Sequence, residues 1–374
     1  ASYSDAAIIV ISRTFGEGSD APISPSNIKD GDGVHNALEL QETERAVIEE
    51  AKKCSEKVIL LLNTDFAMDI DYLKRDTGVD AIMWTGSLGN SGVWGLCDVL
   101  TGKVAPSGHL PDTYSASAYN AAAVQNYGDF AFTNKSEITA ATADNYIVYQ
   151  EGIYVGYRYY ETRYYDFVNG KGNTAGYDYN AEVAYPFGFG KSYTEFSYSD
   201  FEILSDGNDY KVKLTVNNDG DVAGKETVQI YASKPYTDYD IANGIEKAAV
   251  ELVGFTKTSE IAAHSSKTVE ISVKKDSFKS YDAYKSKGYI LDEGDYYLTA
   301  ARDSHQAANN ILAAKEGKGV ADGMDKNGDS SLAKKALEVS SLDTETFKKS
   351  ENGTVITNQF DNGDLNLYMD ENAI

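Results

Sequence analysis

Apolar positions change their period along this chain, and the changes divide it. Near the start, Ile8, Ile9, Val10 and Ile11 form an unbroken apolar run of largely β-branched residues. That pattern suits a strand covered on both faces, as in a parallel sheet. Val58 to Asn63 and Val79 to Trp84 repeat it. Between them, Leu38 to Glu56 places Leu38, Ala46, Val47, Ala51 and Cys54 on or near one helical face, with charge opposite. Shorter helices are predicted over Ala67 to Arg75 and Val93 to Leu100. Strand and helix in alternation predict a mostly parallel sheet with helices on its faces. Three strands are few for such a sheet, and the chain opens directly on one. The expectation is therefore the later part of a larger α/β domain.

Residues 116–195 carry neither period. Two aromatic clusters stand out there, Tyr149 to Tyr160 and Tyr185 to Thr194. They read as an extended segment pinned by aromatic anchors, with glycines admitting close backbone approach; sugar stacking is the alternative use of such rings. From Phe196 to Ala301 the period becomes two. Val212, Leu214 and Val216 alternate with Lys213 and Thr215, and Asn218-Asp219-Gly220 is a turn. Val228 to Tyr231, Val269 to Val273 and Tyr296 to Ala300 follow as strands. Together they predict an antiparallel β-sandwich of about 100 residues. After Arg302 two helix-like pieces, Ala307 to Lys315 and Leu332 to Val339, interrupt a polar stretch that needs something to lie against. Asp325 to Ser330 resembles the start of a calcium loop, but the sixth position lacks Gly and the twelfth is Ala336, so that reading is rejected.

Composition narrows the function. The 374 residues allow two domains and a sizeable core. A net charge of −24 argues against nucleic acid and anionic membrane as partners. No apolar run is long enough to span a bilayer. The four histidines form no metal motif, and no cofactor is expected. Cys54 and Cys97 sit in helical patterns and read as buried apolar residues. No signal peptide is seen, and a cytoplasmic bacterial setting is favoured over a secreted one.

The candidate chemistry follows the first strand. Gly16 and Gly18 flank Glu17 on the loop at that strand's carboxyl end, where open α/β sheets place ligands. A surface loop that happens to hold a Glu fits the same spacing. Gly86 to Gly92 opens a helix but lacks the lysine of a phosphate-binding loop, which speaks against a nucleotide site.

Taken in order, these motifs resemble one family, the glycoside hydrolase family 3 β-glucosidases. Ser12-Arg13-Thr14-Phe15-Gly16-Glu17-Gly18-Ser19-Asp20 is similar to that family's acid/base loop. Gly102 to Pro111 resembles its G-x-x-x-P-S-G-x-L-P segment. The Tyr149–Tyr160 and Phe187–Thr194 clusters resemble its EGIYVGYRYY and FGFGLSYT motifs, with Lys191 where Leu is usual. Asn217 to Gln229, Val253-Gly254-Phe255 and Glu293-Gly294-Asp295-Tyr296 resemble its fibronectin-III-like domain. Ile356 to Asp361 looks like the approach to a TIM-type barrel in members with reversed domain order.

The resemblance implies a partial three-layer α/β sandwich with a mostly parallel sheet over 1–115 and an aromatic-rich linker over 116–195. A fibronectin-III-like β-sandwich over 196–303 follows, then an extended linker over 304–374 leading toward a barrel. It implies a retaining exo-acting β-glucosidase acting on β-glucosides or oligosaccharides, with Glu17 as general acid/base. Arg13 and Asp20 are its neighbours and candidate substrate contacts. The nucleophile belongs to the barrel, which is a required partner; a homodimer is also admitted. A β-xylosidase of the same family, or a non-catalytic carbohydrate-binding or interaction module, is the alternative. Glu151 and Arg158 match a motif but read as structural, and Glu42, Glu44, Glu49 and Glu50 read as a solvated helix face.

Overall fold

The computed structural model describes residues 4–357 apart from 14, 16–17, 19–20, 29–30, 77, 126–129, 138–143 and 150. Among the described residues the first sheet has three parallel strands in the order β1-β2-β3: β1 (Ala6–Ser12), β2 (Lys57–Asn63) and β3 (Ala81–Trp84). Helices α1 (Glu42–Cys54), α2 (Asp71–Lys74) and α3 (Gly92–Leu100) lie between or after them. The core of this unit is built on Ile11, Ile48, Val58, Leu60, Leu62 and Met68. Only the four residues Asp71–Lys74 of the predicted Ala67–Arg75 helix are helical. The approach to it is diverted: the Asp69 N–H donates to Leu38 O, and its carboxylate accepts from the Ala118 N–H.

The second unit is a sandwich of two antiparallel sheets. One holds β4 (Phe196–Asp206), β5 (Asp209–Asn218) and a later strand, Ser266–Val273, which pairs with β5. The other orders Glu251–Lys257, Thr227–Ser233, Gly294–Ala301 and Ala333–Val339 side by side. The alternation of β5 does what its pattern predicts, because Val212, Leu214 and Val216 are fully buried between the sheets.

Four readings change. Residues 116–195 contain a three-turn helix, α4 (Tyr157–Val168). Its tyrosines favour strand by propensity, but Tyr160 and Tyr164 are buried against a helix later in the chain, and packing decides. That later helix, α5 (Ser304–Lys315), and the strand after it are built into the body, although the stretch from 304 reads as linker. The helix-like Leu332–Val339 is mostly strand: Ala333–Val339 pairs antiparallel with the free edge of Gly294–Ala301. Cys54 and Cys97 are exposed, the latter on a helix with no buried residue.

The α5 helix is capped by Asp303, whose carboxylate accepts from the Gln306 N–H at 2.7 Å. It carries two fully buried asparagines, Asn309 and Asn310. Asn310 donates to Ala300 O at 3.1 Å and accepts from the Asp329 N–H at 2.8 Å, so both ends of its amide are used. Gly328 passes directly over this turn, and a Cβ there would lie 2.0 Å from Asn309 O. Gly328→Ala is therefore expected to destabilise the sandwich by about 1–3 kcal/mol or more. The check is the denaturant midpoint of the variant; an unchanged midpoint would refute the contact.

Candidate active site

The parallel sheet brings three loops to one edge. Ser12 pairs with Asn63 and Leu62 with Trp84, so the loops after β1, β2 and β3 leave together at the carboxyl ends. Side chains tie them. The Trp84 indole N–H donates to Thr64 O at 2.8 Å, Asn63 Nδ2 donates to Ser12 Oγ at 3.3 Å, and Ser87 bonds Asp65. Phe15 packs on Phe66 with ring centroids 6.5 Å apart. Phe66 in turn lines a cavity of about 310 Å³ shared with Met68, Asp69, Asp112, Tyr159 and Tyr160. Burial pushes Asp69 up to about 6; the Ala118 N–H opposes this and the charge of Glu39 adds to it.

Glu17 and Asp20 lie outside the described residues. Gly18 is described and takes a φ of +75°, the left-handed region that glycine enters without steric cost. Arg13, the other candidate substrate contact, is described, and its guanidinium bonds within the chain. Nε donates to Ala37 O at 2.9 Å. One terminal nitrogen donates to Ser12 O at 2.9 Å and to Glu44 Oε1 at 2.7 Å. The other donates to Glu39 O at 2.9 Å and to Glu44 Oε2 at 2.8 Å. All five guanidinium N–H groups are thus engaged inside the chain. Glu44 is correspondingly no free surface carboxylate. It holds Arg13 bidentately and also accepts from the Gln41 N–H at 2.8 Å, capping α1. The helix-face pattern hid this, because a glutamate in the first turn looks the same in sequence whether it caps the helix or is solvated.

The stretch before α1 is knitted equally tightly. Asp32 accepts from the backbone N–H groups of His35, Val34 and Glu42 and from the His35 ring. These bonds, led by the His35 N–H, hold its carboxyl well below the usual carboxylate range. Among the described residues no group of three His, Cys, Asp or Glu side chains could hold a metal ion.

The other motifs meet where the two units join. Tyr157 stacks on Phe187 at 4.6 Å, and its hydroxyl accepts from the Leu252 N–H. Leu110 bonds the backbone of Gly188 and Phe189, with Leu110 N donating to Phe189 O at 2.8 Å and Gly188 N to Leu110 O at 2.9 Å. His109 lies with Nδ1 2.8 Å from Gly188 O, and burial together with the nearby Lys257 charge pushes its pKa down to about 4. A Cβ on Gly188 would sit 2.1 Å from Gln229 Oε1, and one on Gly190 would sit 2.4 Å from Gly108 O. Gly190 thus admits close backbone approach, whereas Gly188 makes room for the buried Gln229 side chain and takes a φ of +81°. Arg158 pairs with Glu251 at 3.5 Å.

Fold and seam thus define a class: a parallel α/β unit, with loops converging at its carboxyl edge, fastened by an aromatic seam to a fibronectin-type sandwich. The comparisons identify it. The glycosyl hydrolase family 3 C-terminal domain matches residues 1–157, and the fibronectin type III-like domain matches residues 226–304. β-Glucosidase A of Butyrivibrio fibrisolvens is 28% identical over 351 residues, covering 83% of this chain and 38% of that protein. The β-glucosidase of Ruminococcus albus is 31% identical over 316 residues, covering 82% of this chain and 28% of that protein. The structure of β-glucosidase 3B from Thermotoga neapolitana, in complex with α-D-glucose, superposes with a TM-score of 0.60 at 29% identity, covering 81% of this chain and 36% of that one. This chain belongs to glycoside hydrolase family 3, and it spans only about a third of the length of the relatives it matches, 38% and 28% of the two β-glucosidases above.

Proposed function

We propose that this chain supplies the general acid/base of a retaining, exo-acting β-glucosidase that releases terminal non-reducing β-D-glucosyl residues. Glu17 is that group, and the nucleophile comes from a TIM-type barrel. What carries the reading is the match of residues 1–157, which include Glu17 and its flanking motif, to a glycosidase family, together with the similarity of the chain to two relatives named β-glucosidases. A retaining reaction needs two carboxyl groups about 5–5.5 Å apart. In the first step Glu17 protonates the glycosidic oxygen as the barrel carboxylate attacks the anomeric carbon. In the second, the Glu17 carboxylate takes a proton from the water that releases the sugar. Asp20 is proposed to fix the loop or touch substrate. Arg13, whose donors are all engaged, is proposed as the loop's anchor. We propose unit boundaries near residues 115 and 195, with 304–339 belonging to the sandwich, whose edge Ala333–Val339 extends.

The test is complementation. The chain, a separately made barrel domain and their mixture are assayed on an aryl β-D-glucoside, with the corresponding β-D-xyloside in parallel. Turnover in the mixture alone is the expected result, and the ratio of the two sugars selects between glucosidase and xylosidase. A mixture that co-elutes as a complex yet hydrolyses neither would leave the non-catalytic module standing.

A further inference from the structure

We infer that Glu44 is a positioning residue for this reaction: acting through Arg13, its carboxylate fixes the two stems of the loop that carries Glu17. The inference rests on the reading of Glu17 as general acid, and it is carried by described residues alone.

The geometry is a stitch across the backbone of one residue. Ala37, fully buried, accepts from Arg13 Nε on its C=O, and its N–H donates to Pro22 O at 3.1 Å. Arg13 is the residue before the loop and Pro22 lies just after it, so both stems close on the same backbone unit. Ala37 is held in turn. The neighbouring Asn36 is buried and accepts from the Leu38 N–H at 2.8 Å, while its own N–H donates to Glu39 Oε2 at 2.9 Å. Glu44 anchors the assembly to the first turn of α1, where the helix N-terminus favours a carboxylate. Its two oxygens take two parallel bonds from Arg13, a geometry that fixes the guanidinium plane as well as its place. Phe15 on Phe66 steadies the same stem from the β2 side.

A general acid acts only within hydrogen-bond reach of the leaving oxygen, so a shift of its loop lowers the chemical step before it lowers binding. Glu44→Gln keeps the shape and can still accept the cap bond, but it breaks the charged bidentate pair. Arg13→Lys keeps the charge but cannot make the fork.

The experiment has two arms. Hydrogen exchange of the chain itself is followed in a peptide covering residues 13–23, with Glu42→Gln on the same helical turn as control. Both test variants are expected to speed exchange there by about tenfold, the loss of one charged hydrogen bond, and to leave the strand around Val212–Val216 unchanged. In the barrel-complemented enzyme, kcat/KM for an alkyl β-glucoside should fall about tenfold more than for a dinitrophenyl β-glucoside, whose leaving group needs little protonation. Unchanged exchange at 13–23 overturns the inference, and so do equal losses across leaving groups when Glu17→Gln shows a steep dependence. A flat dependence in Glu17→Gln itself instead overturns the acid assignment, and the exchange arm then decides the clamp separately.

Discussion

Replacing Glu17 by alanine is expected to lower kcat/KM of the barrel-complemented enzyme toward alkyl β-glucosides by about 10²–10⁴-fold, the usual worth of a positioned general acid. The loss has a signature. Leaving groups of low pKa depart without a proton, so dinitrophenyl β-glucoside should form the glycosyl-enzyme at a rate close to that of the parent. Hydrolysis of that intermediate then becomes limiting, because the same residue would have activated the water. Azide needs no general base. Added azide should restore turnover of the activated substrate and give β-glucosyl azide, the product of two inversions at the anomeric carbon. Steady-state rates against azide concentration, with product identified by NMR, check this. Full activity in the variant, or no rescue with any leaving group, would remove Glu17 from the mechanism.

The second large effect is on stability, at a buried histidine. His305, at the start of α5, is enclosed between two carboxylates: Nδ1 lies 2.9 Å from Glu161 Oε2 and Nε2 lies 3.0 Å from Asp325 Oδ2. Its ring stacks on Tyr179 with centroids 3.7 Å apart. Glu161, on α4, also accepts from the Tyr179 hydroxyl at 2.7 Å and from Ser304 Oγ at 2.9 Å. Burial disfavours the charged ring, but the Glu161 charge and the bonds to Asp325 and Glu161 outweigh it and push the pKa up to about 9. The imidazolium therefore bolts α4, α5 and the loop at Asp325 together.

His305→Leu leaves two carboxylates without their cation and is expected to cost about 3–5 kcal/mol, on the order of 10 °C in Tm. The pH dependence follows from the sign of the shift. Because the folded pKa is raised above the ordinary 6.5, the histidine's contribution is complete below about pH 6.5 and is lost as pH rises through about 9. Asp325 is held below its ordinary range, against burial, by the bond to His305, so its contribution persists above the usual carboxylate pKa and fades as pH falls below it. The difference in Tm between parent and His305→Leu should thus be widest near pH 5–6 and narrow toward pH 9. A difference that stays constant from pH 6 to pH 9 would show that the ring is not the charged bolt described.

Much of this architecture was legible from periodicity. Apolar runs at Ile8–Ile11 and Val58–Leu62 have one solution, strands that pair, and alternation around Val212–Val216 has one solution, a strand with a buried face. These signals are local, because pairing and the alternation of faces follow from neighbours in sequence; burial does not, since Ile8 and Val10, read as covered on both faces, are exposed on the first strand. The Glu17 loop was legible only as a motif, glycine-flanked at a strand's carboxyl end, and its family resemblance supplied the role proposed for it.

What the sequence by itself determined is therefore the succession of units, the strand faces, the resemblance to one glycosidase family and the carboxylate to test. Tertiary structure decided what depends on residues distant along the chain. It made Tyr157–Val168 a helix by burying tyrosines against Ser304–Lys315, and it made Ala333–Val339 a strand by giving it an open sheet edge. It turned Glu44 from a surface charge into the partner of Arg13, 31 residues away, and His305 into an imidazolium facing Glu161 across 144 residues. The physical reason is common to all of them. Hydrogen bonds and ion pairs gain their strength from geometry and exclusion of water, and both are properties of the assembled fold that no window of sequence contains.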